Sequence, residues 1–152
     1  LKLEYIQDIK KLSKKTKKCK RLIEGKMIGD RLIEVLRGDP NACGLSANQI
    51  GIKFAVCVVY VKQPLVLINP EIIGKFGKSY FQEGCLSFPG SYIMTERWTD
   101  ILVSADNHKK TLSFSFDKDA LECVCVQHEI DHLNGITMFD RMINMEDLNV
   151  KV

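Results

Sequence analysis

Chemistry first shows in this chain at His128-Glu129-Ile130-Asp131-His132. On a helix, positions i and i+4 share one face, so both imidazoles can reach a single metal ion. The intervening glutamate sits beside the first ligand, close enough to handle protons on water at that ion. The chain contains three histidines, and two of them fall here. The apolar residues Leu121, Val124 and Val126 precede the motif and give its helix a face to bury.

Two imidazoles hold a metal poorly, so a third ligand is needed. Downstream, Asp140, Glu146 and Asp147 are the available carboxylates, as an H-E-x-x-H metalloprotease would require. Upstream lies Glu83-Gly84-Cys85-Leu86-Ser87, where a thiolate at a glycine turn suits a soft or borderline metal. Cys85 taken alone reads as a small buried residue in that turn. A structural metal module, closed by a fourth protein ligand such as Cys43, is a further alternative, and it leaves Glu129 without a task. A third segment, Gly44-Leu45-Ser46-Ala47-Asn48-Gln49-Ile50-Gly51, consists of small residues that let a backbone or ligand approach. Its Gln49 can donate hydrogen bonds to a carbonyl oxygen.

These three segments, in this order, resemble the motifs of the peptide deformylase family: G-φ-G-φ-A-A-x-Q, E-G-C-φ-S and Q-H-E-φ-D-H, with φ apolar. Glu83–Ser87 and Gln127–His132 match the second and third fully. In the first, Ala42 stands at a family glycine and Ser46 at a family alanine. Leu67-Ile68-Asn69-Pro70, Phe88-Pro89-Gly90 and Phe139-Asp140-Arg141 extend the likeness over roughly residues 27–141.

The resemblance implies a hydrolase that removes the N-formyl group from the initiator methionine of nascent polypeptides, releasing formate. It implies Cys85, His128 and His132 as ligands of one divalent metal. Fe2+ is the metal expected in the cell, with Zn2+, Ni2+ or Co2+ as alternatives. Glu129 would move the proton, and Gln49 with the backbone N–H of Leu86 would hold the oxyanion. Cys43, Leu121, Val124 and Cys125 would form the methionine pocket, each read singly as core packing almost as well. The peptide would add as a strand along Gly44 and Gly90. Glu83 and Asp131 would support a ligand imidazole or a nearby arginine such as Arg97. With no long terminal helix of the kind many bacterial members carry expected after residue 141, the form expected is similar to viral or organellar members.

Several elements must position these groups. A helix is expected over about residues 24–37, with Ile28, Leu32, Val35 and Leu36 at helical spacing and Gly38-Asp39-Pro40-Asn41 as its stop. Strands are expected at 54–61, 64–69, 80–82, 101–105 and 111–116. The motif helix should run over about 118–133 and end at Asn134-Gly135. The fold expected is α+β, with short antiparallel or mixed strands packed around the central motif-bearing helix. One catalytic domain should cover residues 1–152.

The 152 residues are 45% hydrophobic and 27% charged, as in a soluble globular chain. No apolar run approaches the ~20 residues of a membrane span. The opening residues lack the apolar segment of a secretory signal. Cytoplasm of a bacterium or bacterial host is therefore expected, with an organelle as the alternative. Residues 1–21 hold nine Lys/Arg against Glu4 and Asp8, so they carry +7 of a net charge of +3 and leave −4 for the rest. A basic arm or an amphipathic helix over 3–20, through Leu3, Ile6, Ile9 and Leu12, is expected there. Its charge suits a solvated face, or less readily the ribosome's RNA. The six cysteines read as reduced thiols. Cys57 should be core, and Cys123 and Cys125 point ~200° apart on a helix, so they cannot share one partner.

Overall fold

The structure, a computed structural model, describes residues 4–144. Two helices, two three-stranded antiparallel sheets and a C-terminal motif helix follow one another along the chain. Helix α1 (Ile9–Leu12) and helix α2 (Leu22–Arg37) precede strands β1 (Gly44–Ser46), β2 (Val56–Tyr60) and β3 (Pro64–Ile68). Strands β4 (Glu71–Cys85), β5 (Phe88–Ala105) and β6 (His108–Ser115) lead into helix α3 (Phe116–Leu133). The sheets are ordered β1-β2-β3 and β4-β5-β6.

Strand β2 explains how the layers stack. Successive side chains of a strand face opposite ways, and Cys57 and Val59 join the cluster around Val126, Ile130 and Leu133 of α3. Val56 and Val58 join the cluster around Leu32 and Leu36 of α2. The first sheet is thus buried on both faces, which is why β2 reads as an unbroken apolar run. Helix α2 lies close on that sheet because Gly25 and Gly29 carry no Cβ; one would stand 2.7 Å from Ile68 or Val66.

The expected helix at 24–37 is present and starts two residues earlier, and the strands at 54–61 and 64–69 are present, trimmed by a residue or two. The later strands differ from expectation. Three short segments are instead β4 and β5, 15 and 18 residues long, followed by β6. Lysine, glycine and serine punctuate the β4–β5 ribbon, whose faces are largely half-exposed, so apolar alternation is weak there. Its register slips between Ile72 and Gly74 and between Glu83 and Cys85.

The expected helix over 3–20 is also corrected: α1 spans four residues. Lysines at 10, 11, 14, 15, 17, 18 and 20 leave no wide apolar stripe, and the backbone finds partners elsewhere. Ala55 N–H donates to Lys17 O at 2.8 Å, and Thr16 N–H to Leu133 O at 2.9 Å. Leu12 is fully buried and Cys19 nearly so.

Helix α3 contains a break at Asp119, with φ −165° and ψ 101°. Ser115 Oγ caps the short first turn, and Asp119 Oδ1 accepts from Glu122 N–H at 3.0 Å to restart the helix. The motif therefore rides on a freshly capped helix, close to the expected start. At the other end Gly135 adopts φ +76°, and its N–H donates to His132 O at 3.1 Å. Among the described residues no helix is long and apolar enough to cross a membrane.

Candidate active site

Helical spacing and one tight turn bring the three predicted ligands together. His128 and His132 are buried on one face of α3. Cys85 ends β4, pairs with Phe88 across the Leu86-Ser87 turn, and faces them. The His132 Nε2 and His128 Nε2 atoms are 3.2 Å apart, and Cys85 Sγ is 3.4 Å from His132 Nε2. A tetrahedral ion bound at ordinary zinc–nitrogen and zinc–sulfur lengths would set such donors roughly 3.3 Å and 3.6 Å apart. The donor set fits a metal ion.

Glu83 Oε1 accepts from His128 Nδ1–H at 2.8 Å, which turns Nε2 of His128 toward the site. Burial opposes a charge on this imidazole, but Glu129, Cys85 and Glu83 outweigh it and raise it well above its usual value, so a metal ion would displace the Nε2 proton. Burial, the His128 charge and Arg97 hold the His132 imidazole well below its usual range, in the neutral form that ligates. Glu83 is itself fixed by Arg97, at 2.6 and 2.8 Å, and by the Thr95 hydroxyl. Burial opposes its charge, but the hydrogen bonds from Arg97 and His128 outweigh that and lower its carboxyl to about 2. Arg97 Nη1 also reaches Asp131 Oδ2 at 2.6 Å, and Arg141 closes the chain on Asp131. Arg97, Glu83 and Asp131 form the supporting network that the sequence suggested.

The competing third ligands lie elsewhere. Asp140 caps its own 3-10 turn by accepting from Thr137 N–H at 2.9 Å. Glu146 and Asp147 fall outside the described residues. Among those residues the cluster of possible ligands is Cys85, His128 and His132, with their donor atoms within 4.8 Å of one another. Cys43 is not part of it, so among the described residues no fourth protein ligand closes the site.

Glu129 is 3% exposed, and its Oε1 has no hydrogen-bond partner. Burial raises its carboxyl to about 8, a value that a nearby cation would lower. A Cβ on Gly44 would stand 2.5 Å from Glu129 Oε2 and 2.6 Å from Cys125 Sγ. Glycine is therefore required where β1 passes the motif helix.

Gln49 sits in the 3-10 turn Ala47–Ile50. Its Oε1 accepts from Ser46 N–H and Oγ–H at 3.0 Å each, which orients the amide. Its Nε2 donates to Ser87 Oγ at 3.1 Å and faces Cys85 Sγ at 3.5 Å. Ala42, at the family's glycine position, needs no left-handed backbone: Asn69 is the described non-glycine residue with positive φ.

A cleft of about 980 Å³ opens over these groups. It is lined by Cys43, Gly44, Gln49, Leu86, Gly90, Leu121, Val124, Cys125, His128 and Glu129. All the sequence-predicted site residues except buried His132 thus reach one cleft, and His132 meets it through the other two ligands. The Cys43 thiol, hydrogen-bonded by Cys125 against the opposing effect of burial, falls to about 7, and Cys125 rises well above its usual value. Four residues carry supporting roles that the sequence did not assign: Asn48, whose Nδ2–H donates to His132 O at 2.7 Å, and Ser87, Thr95 and Arg141. Thr95 and Arg97, two apart on β5, share a face turned to Glu83, a spacing that could have flagged Thr95.

The sequence profile of the family described as Polypeptide deformylase matches residues 3–147. The chain belongs to that family. It is 42% identical over 106 residues to a peptide deformylase of Pseudoalteromonas translucida (strain TAC 125), covering 67% of this chain and 63% of that one. It is 41% identical over 113 residues to one from Hydrogenovibrio crunogenus (strain DSM 25203 / XCL-2), covering 71% and 66%. The matches thus span just under two thirds of the length of these two relatives. A peptide deformylase from Synechococcus elongatus, solved in complex with actinonin, superposes with a TM-score of 0.82 at 33% identity over 99% of this chain and 82% of that one. A probable peptide deformylase from Synechococcus phage S-SSM7 gives 0.77 at 31% identity, over 93% and 99%. The α+β architecture, with antiparallel sheets around α3, is therefore that of the deformylase family.

Proposed function

We propose that this chain is a metal-dependent deformylase that hydrolyses the N-formyl group of formyl-methionyl nascent polypeptides, giving formate and a free amine. The observation that carries the reading is the Cys85–His128–His132 donor set with Glu129 buried beside it at the floor of an open cleft.

When bound, a divalent ion at that set supplies Lewis-acid polarisation and lowers the pKa of water toward neutrality. The reading names Fe2+ in the cell, with Zn2+, Ni2+ or Co2+ able to occupy the same ligands. The chain's own groups do the rest. Glu129 accepts the proton released as water adds to the formyl carbon and returns it to the leaving amine. Burial raises its carboxyl, and the cation that the site would hold would lower it again. The developing oxyanion is held by Gln49 Nε2, preset by Ser46, and by the backbone N–H of Leu86 in the turn after Cys85. Glu83 fixes the His128 tautomer, so that ligand does not reorganise during turnover.

The peptide lies extended along Gly44 and Gly90, and the methionine side chain enters between Cys43, Leu121, Val124 and Cys125. A formyl group is small; an acetyl methyl would crowd the oxyanion donors. The exposed lysines of residues 10–20 support an attraction to ribosomal RNA, whose signature is steep weakening with salt. Formylated nascent chains as substrate support the cytoplasm of a bacterium or bacterial host as its compartment, with an organelle as the alternative.

The test is mass analysis of formyl-Met-Ala-Ser after incubation with anaerobically prepared, metal-loaded protein. The expected product is Met-Ala-Ser with formate. Cleavage at an internal peptide bond would instead identify a metalloprotease.

A further inference from the structure

Six cysteines are free in this chain, and two of them, Cys43 and Cys125, line the same cleft. Cys43 stands just before β1 and Cys125 lies on α3, 82 residues later, yet Cys125 Sγ–H donates to Cys43 O at 3.0 Å. Gly44 makes this approach possible, since a Cβ there would stand 2.6 Å from the Cys125 sulfur. Cys43 is half-buried on the cleft, whereas Cys125 is 3% exposed beneath it. The remaining thiols are placed otherwise. Cys19, Cys57 and Cys123 are buried away from the cleft, and Cys123 Sγ–H points to Trp98 O on the far side of α3. Cys85 faces His132 and Gln49.

We propose that Cys43 and Cys125 are a peroxide-sensitive modification site, in which the accessible Cys43 is oxidised first and the buried Cys125 resolves it into a reversible disulfide. The oxidant is hydrogen peroxide. The Cys43 thiolate attacks one peroxide oxygen, the O–O bond breaks, and a sulfenic acid forms with release of hydroxide. The Cys125 sulfur then attacks the Cys43 sulfur, the S–O bond breaks, and the second oxygen leaves as water. Two thiols lose two electrons in all, and the peroxide is reduced to two waters. Closing the bond draws the sulfurs to ~2.05 Å and removes the Cys125 hydrogen that bonds Cys43 O. It ties β1 to α3 beside Glu129 Oε2, which lies 3.9 Å from Cys125 Sγ. The consequence for catalysis rests on the deformylase reading; formation of the bond does not.

Under that reading the disulfide fills the floor of the methionine pocket and lowers kcat/KM by on the order of tenfold or more, the scale of a pocket reshaped by about one methylene. Thiol reductant restores it. Cys85 oxidation would inactivate by a different route, and so the site of modification is read directly.

The experiment treats the metal-loaded full chain with graded hydrogen peroxide, quenches with an alkylating agent and maps peptides without reduction. The expected result is a linked pair containing residues 43 and 125 at the lowest peroxide that changes the protein, lost on reduction and absent from Cys43→Ser and Cys125→Ser. Cys125→Ser keeps a hydroxyl donor for Cys43 O, and its fold is checked by circular dichroism. A sulfenic acid trapped at Cys43 in Cys125→Ser further supports the order of events. Oxidation of Cys85 alone, a different pairing, or Cys43 and Cys125 both alkylated after Cys85 is oxidised would overturn the proposal. Because the link is read by mass, a linked protein that never released formate would count against the activity and not against the site.

Discussion

Glu83 Oε1 accepts the Nδ1 proton of His128 at 2.8 Å, and Arg97 holds the same carboxylate from the other side at 2.6 and 2.8 Å. A strand residue two positions before Cys85 thereby orients an imidazole of the proposed metal set on a distant helix. Arg97 extends the grip to Asp131, inside the same helical motif. His128 and its helix are thus tied to β4 and β5 by polar bonds as well as by packing.

Glu83→Gln should therefore act at a distance from the ion. It leaves His128 without its carboxylate partner and Arg97 with Asp131 alone. Metal affinity is expected to weaken ~10–100-fold, the usual effect of losing such a support. The buried Arg97 charge, now half-paired, should also lower stability by about 3–5 kcal/mol. Chelator competition and urea unfolding read the two effects. Unchanged metal retention would show that Glu83 only balances charge.

Replacing Glu129 by Gln keeps its shape but removes the proton acceptor. The three ligands are untouched, so bound metal should be retained. The loss in kcat should be at least ~10²–10⁴-fold, the ordinary worth of general acid–base catalysis. Near-normal turnover by Glu129→Gln would assign the proton transfer to another group.

At Gly44 the expectation is steric. Alanine would place its Cβ against Glu129 Oε2 and Cys125 Sγ, 2.5 and 2.6 Å away. One side must move, and displacement of the proposed catalytic carboxylate by about 1 Å can cost ~10²-fold. Gly44→Ala should show that fall in kcat/KM with metal content unchanged. Wild-type kinetics in this variant would mean the β1 backbone yields freely.

The N-terminal segment makes a separate prediction. Leu12 is fully buried, so Leu12→Ala should cost ~2–5 kcal/mol of stability with little effect on kcat in the folded protein. A denaturation midpoint equal to wild type would return this segment to the role of a loose arm. Removal of residues 1–21 should destabilise more, since Cys19 N–H also donates to Asn69 Oδ1 at 2.8 Å.

The candidate metal site was legible because its chemistry has a fixed spacing. His128 and His132 are four apart on a helix, and E-G-C-φ-S supplies the thiolate. The wider support was partly legible: Arg97, Glu83 and Asp131 could be named as partners, but who bonds whom depends on β5 lying beside β4. That pairing is set over the long, polar β4–β5 ribbon, where glycines, lysines and serines blur the period-two pattern. The core strand β2 was clear because both of its faces are buried. Residues 4–21 misled for a different reason. Apolar residues at helical spacing suggested a helix, whereas the backbone of Lys17 bonds to the neighbouring Ala55 and Lys53. Tertiary hydrogen bonding outweighed local periodicity.

Metal reconstitution tests the central claim most directly. Metal-free protein is titrated anaerobically with a divalent ion while formate release from formyl-Met-Ala-Ser is followed, beside Cys85→Ala and His132→Ala. The account predicts that activity rises linearly and saturates at one ion per chain, with neither variant reaching it. Full formate release by metal-free protein, or by Cys85→Ala, would contradict it.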